Sequence, residues 1–149
     1  MPLVHAFLDT CAADRSEDYR YVFGLLGGEL AANAIQHSRS GRVGGTFRLH
    51  ARRFRDGMTL TCRDDGVDAT GHHHGSAPVH LVPRPAAAST GHDPEAVPEE
   101  EPETVPEHGR GLALVDSLST SWGDNGLPGF RMVWFHLADD LDGSDWPAA

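Results

Sequence analysis

The amino-acid sequence predicts an α+β fold, a two-layer sandwich in which helices cover one face of a mainly antiparallel mixed sheet. The first observation is the order of the periodic segments, which is helix, strand, strand, a long aperiodic segment, helix, strand, strand. The second is the length of 149 residues, which fits one hydrophobic core. We therefore expect a single domain over residues 1–149.

The first element is a long helix predicted over residues 16–38. Ser16 can cap its N-terminus. Gly27 and Gly28 lie in its interior, where each glycine costs about 1 kcal/mol relative to alanine. We therefore expect either a close approach of another segment to that backbone or a break in the helix. The apolar residues at helical spacing are Tyr19, Val22, Phe23, Leu26, Leu30, Ala34 and Ile35.

Strands are predicted next over Gly45–Arg53 and Met58–Arg63, because apolar and polar residues alternate in both. Asp56-Gly57 between them is typical of a hairpin turn. The remaining predicted elements are a short helix over 112–118, ending near Ser121, and the two strands Ser119–Trp122 and Phe130–Leu137.

Residues 67–108 differ from the rest of the chain in composition. Seven of the ten prolines lie here, and eight acidic residues stand against one arginine, which gives −7 of the net charge of −10. Because such a segment buries too little apolar surface to offset its ordering entropy, we expect a long, largely disordered loop within the domain. The acidic tail, residues 138–149, is expected to fray.

Composition excludes several classes of function. All twelve basic residues are arginine, so mechanisms that need a lysine, such as a Walker A phosphate loop, are excluded. The net charge of −10 disfavours binding to nucleic acid or anionic membranes. No apolar run approaches the roughly 20 residues of a membrane span, and the start lacks a secretion signal. Cys11 and Cys62 are too few for a disulfide framework, so we expect a cytoplasmic protein with reduced thiols and a buried Cys62.

Three short stretches contain residues that can carry chemistry. Glu29 and Asn33 are four residues apart on the long helix, so their carboxylate and amide oxygen share a face and can polarise a nucleophile or hold a hard cation. Asp64, at the end of a strand, can accept a hydrogen bond from an exocyclic amine. Taken alone, the first stretch also fits a solvated helix face and the second a simple turn.

The third stretch is the glycine-rich start of the last helix. Exposed amide groups at a helix N-terminus suit phosphate oxygens, and Gly109 and Gly111 remove the side chains that would block their approach. A glycine-rich helix start is also compatible with simple loop closure.

The order of these stretches, E-x-x-x-N-A-x-x-H on a helix, D-x-G at a strand end, G-x-G-L at a helix start and then a closing hairpin, resembles the GHKL ATPase superfamily. The short chain and Val133-Trp134-Phe135 are most similar to its anti-sigma-factor serine/threonine kinase branch. The resemblance covers about residues 18–137 apart from the loop. It implies a Bergerat-type ATP-binding fold, ATP and Mg²⁺ as cofactors, and transfer of the γ-phosphate to a serine or threonine of a protein antagonist.

The resemblance also implies roles for individual residues. Glu29 matches the general base, Asn33 the amide that ligates Mg²⁺, and Asp64 the carboxylate that recognises the adenine amine. Arg110 either supplies positive charge to the phosphates or caps a solvated turn. The residues implied to bind the nucleotide are Asn33, Asp64, Gly66, Gly109, Arg110, Gly111 and Leu112.

Four features depart from the family pattern. The loop over residues 67–108, which the resemblance identifies as the ATP lid, is unusually long and acidic. Asp68 stands where the second glycine of D-x-G-x-G is usual, and Met132 occupies a place where a threonine often supports adenine. The N-terminal region is short, so we expect the family's opening strand and first helix to be compressed or missing. These departures keep an alternative open, a catalytically weak or inactive nucleotide-binding module that only sequesters a protein partner.

The partners implied by the resemblance are a sigma factor, an anti-sigma antagonist protein, or both, with no direct contact to nucleic acid or membrane. A homodimer is left open. The histidines at 72–74 within the loop are predicted to be solvated rather than to bind a metal, because neighbouring histidines in a flexible run rarely converge on one ion.

Overall fold

A computed structural model gives the structure of residues 1–66, 110–127 and 129–147, with the backbone alone at Arg110. The elements are α1 (Pro2–Cys11), α2 (Glu17–His37), a 3-10 turn (Arg39–Gly41), β1 (Phe47–Arg53), β2 (Gly57–Asp64), α3 (Arg110–Leu118), β3 (Ser121–Asp124) and β4 (Arg131–Ala138). The helices pack on one face of the sheet, which confirms the α+β prediction. None of these described helices is long and apolar enough to cross a membrane. The loop predicted over 67–108 lies outside the described residues.

The sheet has the strand order β1-β2-β4-β3. Every pairing among these strands is antiparallel, so within the described residues the sheet is not mixed. The Phe54 amide donates to the Gly57 carbonyl at 2.8 Å and closes the predicted hairpin between β1 and β2. Strand bounds differ from the predicted ones by one or two residues, and α3 begins two residues earlier than expected. The buried apolar residues of the strands that face the helices are Met58, Leu60, Cys62, Trp122, Val133, Phe135 and Leu137.

The helix α2 runs along this buried sheet face. The Ser16 hydroxyl accepts a hydrogen bond from the Tyr19 amide at 3.3 Å, the predicted N-terminal cap. The Tyr19 hydroxyl donates to the Leu137 carbonyl at 2.9 Å and so ties the start of α2 to β4. The apolar residues predicted for the buried face are buried except Ile35, which is exposed near the C-terminal end of the helix.

The two glycines inside α2 differ in their surroundings. A Cβ added to Gly27 would lie 2.6 Å from Leu8 Cδ2 and 3.0 Å from Leu60 Cδ2, and both leucines are buried. At Gly28 the nearest atom to an added Cβ is His5 Nε2, at 3.9 Å. The helix does not break, and the close approach expected from the sequence is made by α1 at Gly27.

The helix α1 was not predicted, because the resemblance led us to expect a compressed or missing first helix. It has ten residues and begins with Pro2, whose fixed φ angle favours the first turn. Leu8 is its one fully buried residue, whereas Leu3 and Phe7 are exposed. Val4 and Cys11, four residues before and three residues after Leu8, are partly buried against the core, so this short apolar stripe and the insertion of Leu8 against Gly27 hold the helix.

The residues after β4, which the sequence predicts to fray, make specific contacts as far as Trp146. The Asp139 carboxylate accepts a hydrogen bond from the Arg15 guanidinium at 2.8 Å. The Asp145 amide donates to a carbonyl of α3 at 2.9 Å. The ring of Trp146 lies 5.2 Å from that of Tyr21 on α2. These contacts connect the residues after β4 to α2 and α3.

Both cysteines are free thiols. Cys62 is buried in β2, as predicted, and burial raises the pKa of its thiol to about 12. The thiol therefore stays protonated at neutral pH and acts as a small apolar core residue.

We predict opposite effects of two alanine substitutions in α2. Gly28→Ala should raise the free energy of unfolding by up to about 1 kcal/mol, because alanine has the higher helix propensity and the site has room. Gly27→Ala should lower it by about 1–3 kcal/mol, because the new methyl group overlaps Leu8 and Leu60. Urea unfolding followed by circular dichroism measures both. Equal effects would contradict the close approach of α1 to Gly27.

Candidate functional site

Glu29 and Asn33 on α2 lie beside the first turn of α3. A Cβ added to Gly111 would lie 2.6 Å from Glu29 Oε2 and 3.4 Å from Asn33 Nδ2. A side chain at position 111 would therefore overlap the Glu29 carboxylate. Two of the three stretches identified in the sequence meet here, and glycine is the residue that lets them approach.

Asp64, from the remaining stretch, lies close to the same helix face. It is buried at the end of β2, where it lines a small cavity together with Asn33. Asn33 thus faces both the first turn of α3 and the Asp64 cavity. The cavity is lined by Leu30, Asn33, Cys62, Asp64, Arg131 and Val133.

The backbone turns sharply after Asp64, and this turn requires the glycine at position 66. Gly66 has a φ of +63°, a conformation that strains residues with a side chain, and its amide donates to Asp64 Oδ1 at 2.7 Å. The 3-10 turn after α2 holds this segment from the other side. The Arg39 amide donates to the Gly66 carbonyl at 2.7 Å, and the Ser40 hydroxyl accepts from the Asp65 amide at 3.0 Å.

The surroundings of Asp64 shift the pKa of its carboxyl upward from the usual value. Burial raises the pKa of the carboxyl above its usual value, while the Gly66 amide and the Arg131 guanidinium partly offset this effect. An ionised carboxylate in this position therefore gains from a hydrogen-bond donor that enters the cavity.

Arg131 is a site residue that the sequence did not reveal. In the antiparallel register, Asp64 pairs with Arg131, and Arg63 pairs with Met132. Directly paired residues share a face of the sheet, so Arg131 lies on the Asp64 side and Met132 on the opposite side. Met132, which was expected to occupy a place that supports adenine, therefore does not face the cavity that Asp64 lines. The alternation with buried Val133 was the sequence signal that could have shown it.

The other predicted site residues divide into two groups. Leu112 is half-buried and packs against the hydrophobic core. Gly109 lies outside the described residues, as do Asp68 and the histidines at 72–74. Arg110 is the first residue of α3, and the structure describes its backbone but not its side chain. Its predicted role therefore stays a prediction.

A larger groove lies elsewhere, between the start of α2 and the residues after β4. Four aspartates line it, Asp18, Asp139, Asp140 and Asp142. Four carboxylates repel phosphate groups, so this groove is not a binding site for an anionic ligand.

The donor set beside Gly111 suits a hard cation. The carboxylate of Glu29 and the amide oxygen of Asn33 are the oxygen ligands that Mg²⁺ prefers, and they flank the space that a Cβ at position 111 would fill. Among the described residues no group of three or more histidine, cysteine or acidic side chains could hold a metal alone. A cation here would therefore need further ligands from a bound molecule or water.

Comparison with known proteins gives one match. A family model described as the histidine kinase-like ATPase domain matches residues 3–124, which run from α1 to the end of β3 and include all three stretches. Searches of curated proteins and of solved structures gave no match.

The raised pKa of Asp64 predicts how the replacement Asp64→Asn changes stability with pH. The ionised carboxylate destabilises the folded chain at neutral pH, and protonation removes this cost as the pH falls through the folded-state pKa towards the ordinary value of 3.8. Asparagine keeps an oxygen for the Gly66 amide and does not titrate. We therefore expect Asp64→Asn to be at least as stable as the unchanged chain at pH 7, with its advantage shrinking towards pH 4.

Urea unfolding of both proteins between pH 4 and pH 7 measures this difference. A variant that is less stable at pH 7 than the unchanged chain, with the deficit disappearing at low pH, would contradict the raised pKa.

Proposed function

The chain belongs to the histidine kinase-like ATPase family, which implies ATP binding, and on this premise we propose that it is a regulatory kinase of the anti-sigma-factor type. In this proposal it transfers the γ-phosphate of ATP to a serine or threonine of a protein antagonist. The observation that supports it is the meeting of Glu29 and Asn33 with Gly111, with Asn33 also lining the Asp64 cavity. The candidate base Glu29, the oxygen ligand Asn33 and the start of α3 therefore lie next to one another. The buried acceptor Asp64 follows on the other side of Asn33.

Asp64 would recognise the adenine base. Adenine presents an exocyclic amine that can donate to a carboxylate, whereas guanine presents a carbonyl oxygen at the corresponding position, which a carboxylate repels. Leu30, Cys62 and Val133 supply apolar walls for a flat ring. The cavity is narrow, so we assign it to the amine edge of the base rather than to the whole nucleotide.

The phosphates would lie at the start of α3. The first amide groups of an α-helix have no partner within the helix and attract phosphate oxygens, and the chain has no lysine that could do so. Asn33 would ligate Mg²⁺ through its amide oxygen. When bound, Mg²⁺ neutralises phosphate charge in the transition state.

Glu29 would act as the general base. Its carboxylate takes the proton from the hydroxyl of the target serine or threonine as that oxygen bonds to the γ-phosphorus. The bond between the γ-phosphorus and the bridging oxygen breaks, and ADP leaves. Phosphorylated antagonist and protonated Glu29 are the products, and the proton then passes to solvent.

The protein partners in this proposal are the antagonist and a sigma factor that the chain sequesters, in the cytoplasm, with a homodimer as an open arrangement. The alternative is a nucleotide-binding module that sequesters a partner without phosphate transfer. Arg131 favours this alternative, because its guanidinium lies beside Asp64 in the cavity and competes with a bound base for the carboxylate. Phosphate-transfer assays distinguish the two.

We predict that Glu29→Gln lowers phosphate transfer at least about a hundredfold, because the base is lost, while ATP binding is largely kept. Glu17→Gln is the matched control, since Glu17 is the other glutamate of α2 and lies at its exposed start. Asn33→Ala should weaken ATP binding more in the presence of Mg²⁺ than in its absence. Calorimetric titration and transfer of labelled phosphate to candidate antagonist proteins measure these effects.

Absence of Mg²⁺-dependent ATP binding by the unchanged chain at millimolar nucleotide would overturn the proposed function. Binding without transfer to any candidate antagonist would select the sequestering alternative.

We further predict that Gly111→Ala lowers phosphate transfer at least about tenfold while the chain still folds. The new methyl group displaces the flexible end of Glu29, and a misplaced base costs catalysis more than stability. Gly24→Ala is the control, because an added Cβ at Gly24 on α2 meets no atom within 4 Å. Transfer assays and thermal unfolding check the pair. Unchanged transfer in Gly111→Ala would exclude Glu29 in its present position as the base.

A further inference from the structure

The sheet face opposite the helices, called the open sheet face below, differs in character from the rest of the molecule. The described helices all pack on the other face. The residues of the open sheet face follow from the strand alternation and the register, and they are Arg48, His50, Arg52, Thr59, Thr61, Arg63, Ser121, Gly123, Met132, Trp134 and His136.

The open sheet face is basic although the chain is acidic. It carries three arginines and two histidines and no carboxylate, in a chain with a net charge of −10. Within the described ranges, no ion pair includes Arg48, Arg52 or Arg63. These three guanidinium groups are exposed and available to an external carboxylate.

Arg48 and Arg63 face each other directly across β1 and β2. Like charges at directly paired positions of an antiparallel sheet are unfavourable. Arginine on an edge strand such as β1 discourages aggregation, but β2 is a central strand, so edge protection does not account for Arg63. A carboxylate bound between the two guanidinium groups would remove their repulsion.

Aromatic rings lie among these charges. The Arg63 guanidinium is 4.5 Å from the centre of the Phe130 ring, and that of Arg52 is 5.0 Å from the centre of Phe54. These contacts hold the two arginines against the surface and reduce the entropy lost when they bind a partner. Phe54 and Phe130 are themselves exposed.

Trp134 adds an aromatic surface at the centre of the open sheet face. A Cβ added to Gly123 on the neighbouring strand β3 would lie 2.9 Å from Trp134 Nε1 and 3.0 Å from two further ring carbons. One edge of the indole therefore lies against the β3 backbone at Gly123. Trp134 is half-buried, so the other edge of its ring can contact a partner. Tryptophan and arginine are the residues that most often dominate the energy of protein interfaces.

We propose that the open sheet face docks an acidic segment of a partner protein that carries at least one large apolar side chain. Arg48, Arg52 and Arg63 would pair with its carboxylates, and Trp134 would contact the apolar side chain. A second copy docking through the same face would place arginine against arginine. Nucleic acid is the less favoured occupant, because it carries a negative charge on every nucleotide and meets the net charge of −10 along its length, whereas a short acidic segment meets only the open sheet face.

The test measures binding of a fluorescein-labelled acidic peptide, Asp-Glu-Leu-Asp-Glu-Phe-Asp-Glu-Leu, to the full chain by fluorescence anisotropy at low and physiological salt. Arg63→Glu should weaken binding about tenfold, because one charge-assisted pair is replaced by repulsion. Arg20→Glu is the matched control, since Arg20 is exposed on α2 and changes the net charge equally. It should change the affinity less than twofold.

Amide chemical shifts in the unchanged chain locate the peptide, and shifts concentrated in β1, β2 and β4 are expected. Thermal unfolding checks that Arg63→Glu is folded, which we expect because the new carboxylate faces Arg48. The proposal does not depend on nucleotide binding, so the test is made without ATP.

Three outcomes would overturn the proposal. One is no binding of the peptide at millimolar concentration, and another is an equal loss of affinity in Arg63→Glu and Arg20→Glu. The third is a different occupant, shown either by tighter binding of a short oligothymidylate or by light-scattering evidence of a dimer that Arg63→Glu dissociates.

Discussion

The close approach of the start of α3 to the middle of α2 is the constraint on which the site depends. Gly111 has no side chain, so the first turn of α3 lies directly against Glu29 and Asn33. A larger residue would separate the two helices or displace the carboxylate. One missing methyl group thus brings together residues that are far apart in the sequence.

The alternation of side chains along β2 and β4 separates two surfaces by a single residue. Asp64 and its partner Arg131 face the helices and line the cavity, whereas the adjacent Arg63 and its partner Met132 belong to the open sheet face. Because the strand period is two residues, a shift of register by one would exchange the two sets. The buried side chains of Cys62 and Val133 oppose such a shift, since it would expose them.

Local patterns predicted much of the fold and most of the candidate site. The cap at Ser16 and the hairpin at Asp56-Gly57 each rest on the chemistry of neighbouring residues, and the structure has both. The glycines of α2 left a break or a close approach open, and the structure shows an unbroken helix with a close approach at Gly27. The helix α1 was missed because the resemblance led us to expect a compressed or missing first helix. Its packing rests on Leu8 reaching a glycine of another helix, a contact between segments far apart in the chain that local patterns do not show.

The ordered tail and Arg131 were missed for the same physical reason. The residues after β4 are held by Arg15 and Tyr21, which lie near the other end of the chain. Arg131 becomes a site residue through its register with Asp64, and a register is set by the packing of the whole sheet rather than by the strand alone.

The place of β4 in the sheet has a consequence for how the chain is made. It is the last of the described strands to leave the ribosome, yet it lies in the interior of the sheet between β2 and β3. Among the described strands only β4 pairs with the inner edge of the β1–β2 hairpin, so this edge lacks that partner until residues 131–138 have been synthesised. Completion of the sheet is therefore a late event in biosynthesis, and β2 is the segment that a chaperone would need to shield in the meantime.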